Sequence, residues 1–292
     1  MADPNYYSMY KGMYVPKLIY FPEGLKYWEE FTFRPDDVIV VTFPKSGTNW
    51  ALELVPLVLS GGEHSKEPTW ERSFAMGHRT ALYMDLDAQP SPRMFVTHFR
   101  YDAMPESFYR VKPKVINVMR NPKDVLISTF HYHKITEFHP TPDSLTGLQH
   151  KFLEGHIAFG SWFDHVKSWL NAEDKSHVLY LTYEEMAQDL PQVVRRVGEF
   201  FEKRPDDEAV EKIADMCCFE SMKKNNTRKN LMKKDRTNCS GTPKLPVFDH
   251  FTFYRKGITG DWRNHLSEEQ AQHFDSVYEE KMKDVDFKFN WD

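Results

Sequence analysis

The sequence predicts an α/β fold, namely one domain with a mostly parallel central sheet flanked by helices. Short apolar runs rich in β-branched residues alternate with longer segments that have helical periodicity. The 292 residues show no internal repeat and no Pro/Gly/Ser-rich linker, and 40% of them are hydrophobic, which is typical of globular proteins. We therefore expect a single domain over residues 1–292.

The first unit of the predicted sheet is a strand, a loop and a helix. The apolar run 38–43 is bounded by prolines, so we expect a short buried strand there. Apolar residues then recur at helical spacing up to Leu59, and two glycines follow shortly after. We expect Ser46 or Thr48 to cap this helix, because hydroxyl side chains accept the free N–H groups of a helix start.

The remaining elements repeat this alternation. Further strands are expected at 94–97, 115–119 and 178–181, and helices from Pro122, near 184–202, at 207–217 and at 267–283. Ligands of parallel sheets bind beyond the carboxyl ends of the strands. The loops that could carry chemistry are therefore 44–49, 98–101, 120–124 and 182–184. The basic segment 223–256 lacks periodicity, so we expect a long flexible loop there.

Composition excludes several classes of protein. The chain has 38 Lys+Arg against 43 Asp+Glu, a net charge of −5, which argues against a non-specific nucleic-acid binder. Its three cysteines do not resemble a disulfide framework. The N-terminus lacks a signal-like apolar run, and no stretch approaches the ~18 apolar residues of a membrane span. We expect a cytoplasmic protein that binds neither nucleic acid nor membranes.

A candidate phosphate site lies in the loop after the first strand. The start of a helix presents free N–H groups and a favourable dipole to an anion. Here Lys45 adds a charge, Ser46 and Thr48 add hydroxyl donors, and Gly47 allows close backbone approach. The lysine precedes the glycine, so the loop is not a Walker A motif.

Other candidate site residues lie at the same edge of the predicted sheet. His98 follows the strand 94–97, and the near-neutral pKa of histidine would let it accept a proton from a hydroxyl or amine. Arg120 directly follows another strand, and Ser128 lies about two helical turns later. Both could face one phosphate, which suits a guanidinium fork.

Three separated motifs together resemble the cytosolic sulfotransferases. They are the loop 42–50, Thr97-His98 with the run from Arg120 to Ser128, and the run from Arg255 to Gly257 with Gly260 to Trp262. The resemblance covers residues 35–282 approximately. Within the family, residues 91–93 and 97–102 are most similar to family six.

The resemblance implies a co-substrate, 3′-phosphoadenosine 5′-phosphosulfate (PAPS), and a set of residues that bind it. Those implied for the phosphosulfate are Lys45, Ser46, Gly47, Thr48, Asn49 and Trp50, and those for the 3′-phosphate are Arg120, Ser128, Arg255, Lys256 and Gly257. Those implied for the adenine are Trp50, Tyr183, Cys217, Phe219 and Met222. Cys217 and Cys218 replace a pair that is commonly Thr-Ser in the family, which leaves hydroxyl contacts there in question.

The resemblance also implies the reaction. The catalytic residues would be His98 as general base, Lys45 at the departing phosphate, and Ser128, and the acceptor would be a hydroxyl or amine of a small apolar or phenolic molecule. Segment 1–34 is expected near the acceptor site, and 223–256 as a lid. No metal is expected, because lysine, arginine and amides already stabilise the charge. Residues 263–272 differ from the family's dimer motif, so a homodimer is left open.

Two other functions remain open. A P-loop kinase shares the strand, loop and helix but needs its lysine after the glycines. A non-catalytic relative that binds nucleotide or an apolar ligand gains support from Val96, where many family members have lysine. Without that lysine, we expect Lys45, the loop N–H groups and a protonated His98 to stabilise the transferred group.

Overall fold

Five parallel strands form the central sheet. In a computed structural model that describes residues 1–63, 73–77, 84–224, 255–289 and 291, the strands are β3 (Val38–Thr42), β4 (Ser73–Ala75), β5 (Met94–Thr97), β6 (Lys114–Met119) and β7 (Val178–Thr182). Their order is β4-β5-β3-β6-β7. An antiparallel hairpin of β1 (Tyr7–Tyr10) and β2 (Met13–Pro16) lies outside this sheet.

Helices follow most strands of the sheet. The helices of the described residues are α1 (Pro22–Glu29), α2 (Thr48–Leu59), α3 (Glu106–Val111), α4 (Pro122–His133), α5 (Leu145–Leu153), α6 (Trp162–Leu170), α7 (Tyr183–Gln188), α8 (Leu190–Phe200), α9 (Asp207–Cys217), α10 (Phe219–Lys224) and α11 (Glu268–Met282). None of these helices is long and apolar enough to cross a membrane.

Alternation along the strands produces two apolar cores, one on each face of the sheet. In β3, Val38 and Val40 face the side covered by α2, α8 and α9. Ile39 and Val41 face the other side, which is covered by the N-terminal segment, α5, α6 and α11. Because both faces are buried, every residue of β3 is apolar or hydrogen-bonded, as expected for a parallel sheet.

The predicted fold class and the four predicted strands are confirmed, with end shifts of one residue. Two details differ. Gly47, and not Ser46 or Thr48, is the N-cap of α2, because the chain enters the helix in a left-handed conformation. The helical pattern near 184–202 is two helices, separated where Asp189 leaves helical geometry and its side chain caps α8.

Several elements were not predicted, among them the hairpin, α1, α5 and α6. Of the expected lid over 223–256, residues 225–254 lie outside the described residues. On the N-terminal side of these residues, α10 ends at Lys224. On the C-terminal side, the described chain resumes at Arg255 and contacts α4 through Gly260 and Asp124.

Candidate active site

The loop between β3 and α2 has a backbone shaped for close approach. Lys45 has φ of 73° and Gly47 has φ of 112°, both in the left-handed region. A Cβ on Gly47 would lie 3.1 Å from Cδ2 of Tyr183, so the site requires glycine for two reasons. The turn leads directly into the first N–H groups of α2, a helix of 12 residues.

Ser46 and Lys45 present polar groups at this loop. Ser46 is fully buried, and its Oγ has no hydrogen-bond partner in the described part of the chain. The Nζ of Lys45 lies 3.9 Å from the centre of the Tyr132 ring of α4. The Lys45 side chain therefore points towards Tyr132, near the end of α4.

Arg120 joins this loop to the C-terminal part of the chain. Its Nη1 donates to the carbonyl of Lys45 at 3.1 Å, and its Nη2 donates to the carbonyl of Ile258 at 3.1 Å. The residue is 6% exposed, and its buried Nε has no partner among the described residues. The guanidinium is thus fixed in place while one of its donors remains available to an anion.

The Tyr183 ring is the centre around which several predicted donor residues assemble. The Arg120 guanidinium lies 3.9 Å from the centre of this ring. Trp50 meets it edge-on at 5.1 Å between ring centres, and Gly47 lies against its edge. Three loops that are distant in sequence are therefore brought together by one aromatic ring at the first residue of α7.

Two buried carboxylates fix the segment 255–262, one from the start of α4 and one within the segment itself. Asp124 of α4 accepts the backbone N–H groups of Gly260 at 2.7 Å and Trp262 at 2.9 Å. Asp261 accepts from Arg255 and, at 2.7 Å, from Lys256. Burial alone would raise the pKa of Asp261, but the hydrogen bonds from Lys256 and Arg255 prevail and hold this pKa well below its usual value.

The residues implied for the adenine divide into two groups. Cys217 and Met222 are buried in the core on the α2 side of the sheet, and burial raises the pKa of the Cys217 thiol. The Cys217 side chain is therefore a packing group in this structure. Phe219 is partly exposed and packs so closely on Gly257 that a Cβ there would meet the ring. Phe219 thus remains the candidate for stacking.

His98 has one ring nitrogen fixed by the backbone of β3. Its Nδ1 lies 2.7 Å from the carbonyl oxygen of Thr42, and because a carbonyl only accepts, Nδ1 must carry the proton. The lone pair is then on Nε2. Burial, opposed by this hydrogen bond and reinforced by the charge of Lys45, lowers the pKa of His98 to about 4. The structure therefore favours a neutral ring at pH 7, the form in which a base can accept a proton.

Thr42 was not identified from the sequence. Its Oγ1 lies 2.7 Å from Oγ1 of Thr48 in α2 and 3.2 Å from Nδ1 of His98. The one available signal was a hydroxyl residue at the carboxyl end of a strand that otherwise contains only valine and isoleucine. Asp124 was also missed as a functional residue, although it lies within the motif that begins at Arg120.

Comparison with known proteins decides the family. The sulfotransferase domain family matches residues 35–286. The chain belongs to the sulfotransferase family. It is 38% identical to sulfotransferase 2B1 of Mus musculus over 98% of this chain and 83% of that protein. It is 35% identical to the 3-beta-hydroxysteroid sulfotransferase of Cavia porcellus over 94% of this chain and 93% of that protein.

A solved structure of a similar sulfotransferase contains the product form of the co-substrate. Mouse sulfotransferase SULT7A1 complexed with PAP, adenosine 3′,5′-bisphosphate, is 27% identical and superposes with a TM-score of 0.77 over 96% of each chain. The present sulfotransferase is thus a PAPS-dependent enzyme and not a P-loop kinase. Membership of family six, the cytoplasmic location and a homodimer stay predictions.

The residues of this sulfotransferase fit a phosphosulfate nucleotide. Two buried polar atoms that have no partner within the described ranges, Ser46 Oγ and Arg120 Nε, lie on the loops that the sequence predicted for the two phosphate ends. The left-handed turn at Gly47 exposes backbone N–H groups beside them. Among the described residues no cluster of three or more His, Cys, Asp or Glu could hold a metal ion.

Proposed function

We propose that this sulfotransferase transfers the sulfuryl group to a hydroxyl of a small apolar or phenolic acceptor, with His98 as general base. One observation carries the proposal, namely the Nδ1–H of His98 that donates to the Thr42 carbonyl. This bond fixes the tautomer and leaves the Nε2 lone pair as the only basic site of the ring. A pKa of about 4 keeps that lone pair free at physiological pH.

Donor binding is assigned to the residues that the sequence singled out. PAPS supplies the sulfuryl group and leaves as the bisphosphate. The backbone N–H groups of 47–50 and Ser46 Oγ bind its phosphosulfate, and the Lys45 ammonium neutralises charge that develops at the departing phosphate. Arg120, Ser128 and the segment 255–257 bind the 3′-phosphate. Ser128 is partly exposed on α4, two turns from the helix start.

The acceptor side of His98 is aromatic and is built in part by the N-terminal segment. The Phe159 ring meets the His98 ring edge-on at 4.9 Å between centres. The N–H of Phe159 donates to the carbonyl of Tyr14 at 2.6 Å, and the Tyr20 ring contacts Phe159 at 5.6 Å. These contacts support the prediction that residues 1–34 pack near the acceptor site and favour an apolar acceptor body.

The electrostatics favour a neutral acceptor over a protonated amine. The charge of Lys45 contributes, after burial, to the lowered pKa of His98, His133 and His139. A cation that approached the same space would meet the same repulsion. A phenol or an apolar alcohol such as a 3β-hydroxysteroid, which is the acceptor class named for one relative, meets none.

The test is transfer of labelled sulfate from PAPS to phenols, 3β-hydroxysteroids and alkyl amines. We expect phenols or hydroxysteroids to be accepted and amines to react poorly below their pKa. His98→Ala is expected to lower kcat by about 10²- to 10⁴-fold with every acceptor, the range for loss of a general base. The exposed His150 in α5 offers a control, and His150→Ala should leave kcat unchanged. Full activity in His98→Ala would reject the proposed base.

Lys45 is tested separately from donor binding. Because its charge is assigned to the departing phosphate, Lys45→Ala should lower kcat far more than it weakens binding of adenosine 3′,5′-bisphosphate, measured by calorimetry. Lys45→Arg keeps the charge and should recover part of kcat. Equal losses in binding and kcat would assign Lys45 to ground-state binding only.

A further inference from the structure

A buried glutamate supports the turn that carries Arg120. Glu184 lies in the first turn of α7 and is 8% exposed. Its Oε1 accepts the backbone N–H of Asn121 at 3.0 Å. Asn121 is the N-cap of α4, where its own side chain accepts the backbone N–H of Lys123 at 2.9 Å. The Glu184 carboxyl therefore binds the peptide that directly follows Arg120.

The second oxygen of this carboxyl is unused. Glu184 Oε2 is buried and has no hydrogen-bond partner among the described residues, and Glu184 forms no ion pair there. The charged and titratable groups around it come from three places: Arg120 after β6, Asp124 on α4, and Tyr183 beside it on α7. Arg120 donates hydrogen bonds to two backbone carbonyls, so it acts on Glu184 through its charge alone.

Close to neutral pH, the protonated and ionised forms of the Glu184 carboxyl have similar populations. Burial raises the pKa of this carboxyl to about 7, against the lowering effects of the Asn121 N–H and of Arg120. A proton added at Oε2 leaves the bond between Oε1 and the Asn121 N–H intact. The group can thus change its charge without releasing the turn.

We propose that Glu184 is a proton-linked positioning residue of the donor site, one that takes up a proton from solvent when a phosphate binds at Arg120. The inference rests on the donor site proposed above. A phosphate beside Arg120 brings negative charge near the ionised carboxylate in a poorly solvated region, where the repulsion is strong. Protonation of Oε2 removes that repulsion, and the new O–H becomes a donor in place of an unpaired acceptor. No covalent bond other than this O–H forms or breaks.

The direction of the pH dependence follows from linkage. A bound anion raises the pKa of Glu184 further, so the complex holds more protons than the free protein around neutrality. Affinity for adenosine 3′,5′-bisphosphate should then fall as the pH rises from 6.5 to 8.5, by at most about tenfold per pH unit for one proton. Glu184→Gln keeps an oxygen for the Asn121 N–H and cannot titrate.

The experiment is calorimetric titration of the full chain with adenosine 3′,5′-bisphosphate at several pH values, in buffers with different ionisation enthalpies. Any ionisation of the ligand itself is common to all variants. We expect the wild type to take up a larger fraction of a proton than Glu184→Gln and to lose affinity more steeply with pH. Glu185→Gln, on the same helix and paired with Arg196, is the matched control and should keep the wild-type slope.

Identical slopes and proton uptake in the wild type and Glu184→Gln would overturn the proposal. If Glu184→Gln fails to fold, the wild type at pH 8 decides, because the phosphates of the ligand, with a second pKa of about 6, are already ionised there, and zero net uptake or a release of protons contradicts the proposal. Failure of the donor site itself has a different signature. In that case Arg120→Ala would bind the bisphosphate as tightly as the wild type.

Discussion

At the scale of single residues, the orientation of His98 depends on Thr42 in two ways. The Thr42 carbonyl fixes the histidine tautomer, and the Thr42 hydroxyl connects the ring to Thr48 at the start of α2. The base and the donor loop are therefore linked through one side chain in the last position of β3. Two neighbouring parallel strands, β3 and β5, make this contact, because their carboxyl ends lie at the same edge of the sheet.

Thr42→Val should separate these two roles. It keeps the carbonyl and therefore the tautomer, but it leaves the Thr48 hydroxyl without its partner at 2.7 Å. The net value of a hydrogen bond is about 1 kcal/mol, so we expect the melting temperature to fall by about 2–4 °C. We expect kcat to fall by about fivefold or less, because the His98 ring also loses its contact with the hydroxyl. Thr42→Ser should restore kcat. A loss of kcat in Thr42→Ser but not in Thr42→Val would show that the methyl group, and not the hydroxyl, is what matters.

At the scale of elements, the donor site forms where the carboxyl ends of three parallel strands lie around Tyr183. The loops after β3 and β6 approach the first residue of α7, which follows β7. The segment 255–262 packs against α4, where Asp124 accepts two of its backbone N–H groups. Parallel pairing of β3, β6 and β7 is what places these loops side by side.

Gly47→Ala tests this arrangement. A Cβ at Gly47 would add strain at a φ of 112° and would press on the Tyr183 ring at 3.1 Å. We expect binding of adenosine 3′,5′-bisphosphate to weaken by about tenfold or more, because a displaced ring also moves Arg120 and Trp50.

Gly61→Ala is the matched control for that variant. Its φ is 68°, also left-handed, but no atom lies within 4 Å of the added Cβ. It should lower the melting temperature through backbone strain and leave nucleotide affinity unchanged. Equal losses of affinity in the two variants would mean that strain in α2, and not the Tyr183 contact, controls donor binding.

At the scale of the whole molecule, histidines whose pKa is lowered by burial dominate the response to acid. Burial lowers the pKa of His98 to about 4 and the pKa of His133 and His165 to about 3, and it places the pKa of His139 well below its usual value. Between pH 6.5 and about 4 the unfolded chain would bind protons that the native protein does not. Glu184 acts in the opposite direction, because its raised pKa adds stability that is lost as the pH rises towards 7.

The free energy of unfolding should therefore fall as the pH drops from about 6.5 to 4.5. Each buried histidine contributes up to about 1.4 kcal/mol per pH unit in that window, and the four exceed the single glutamate. Urea unfolding followed by circular dichroism at pH 7.5, 6.5 and 5.5 checks this. A denaturation midpoint that is constant or rises towards acid would contradict the burial of neutral histidines.

Local signals predicted much of the fold, and their limits have physical causes. The strands of the sheet interior are buried on both faces, so they are continuous apolar runs that need no partner to be recognised. β4 spans three residues at the sheet edge and owes its strand geometry to pairing with β5. α6 was missed although the Ser161 side chain caps it by accepting the backbone N–H of Asp164, and a serine at a helix start is a signal that was available.

The sequence by itself determined the sheet, the family and the residues Lys45 and Arg120, because these depend on local pattern and motif order. Only the tertiary structure decided the tautomer of His98, the core position of Cys217 and the support of Arg120 by Glu184. Each of those depends on desolvation and on partners more than fifty positions away in the chain. Hydrogen-bond partners and local dielectric are properties of the assembled fold, and they set the chemistry of the groups that the sequence supplies.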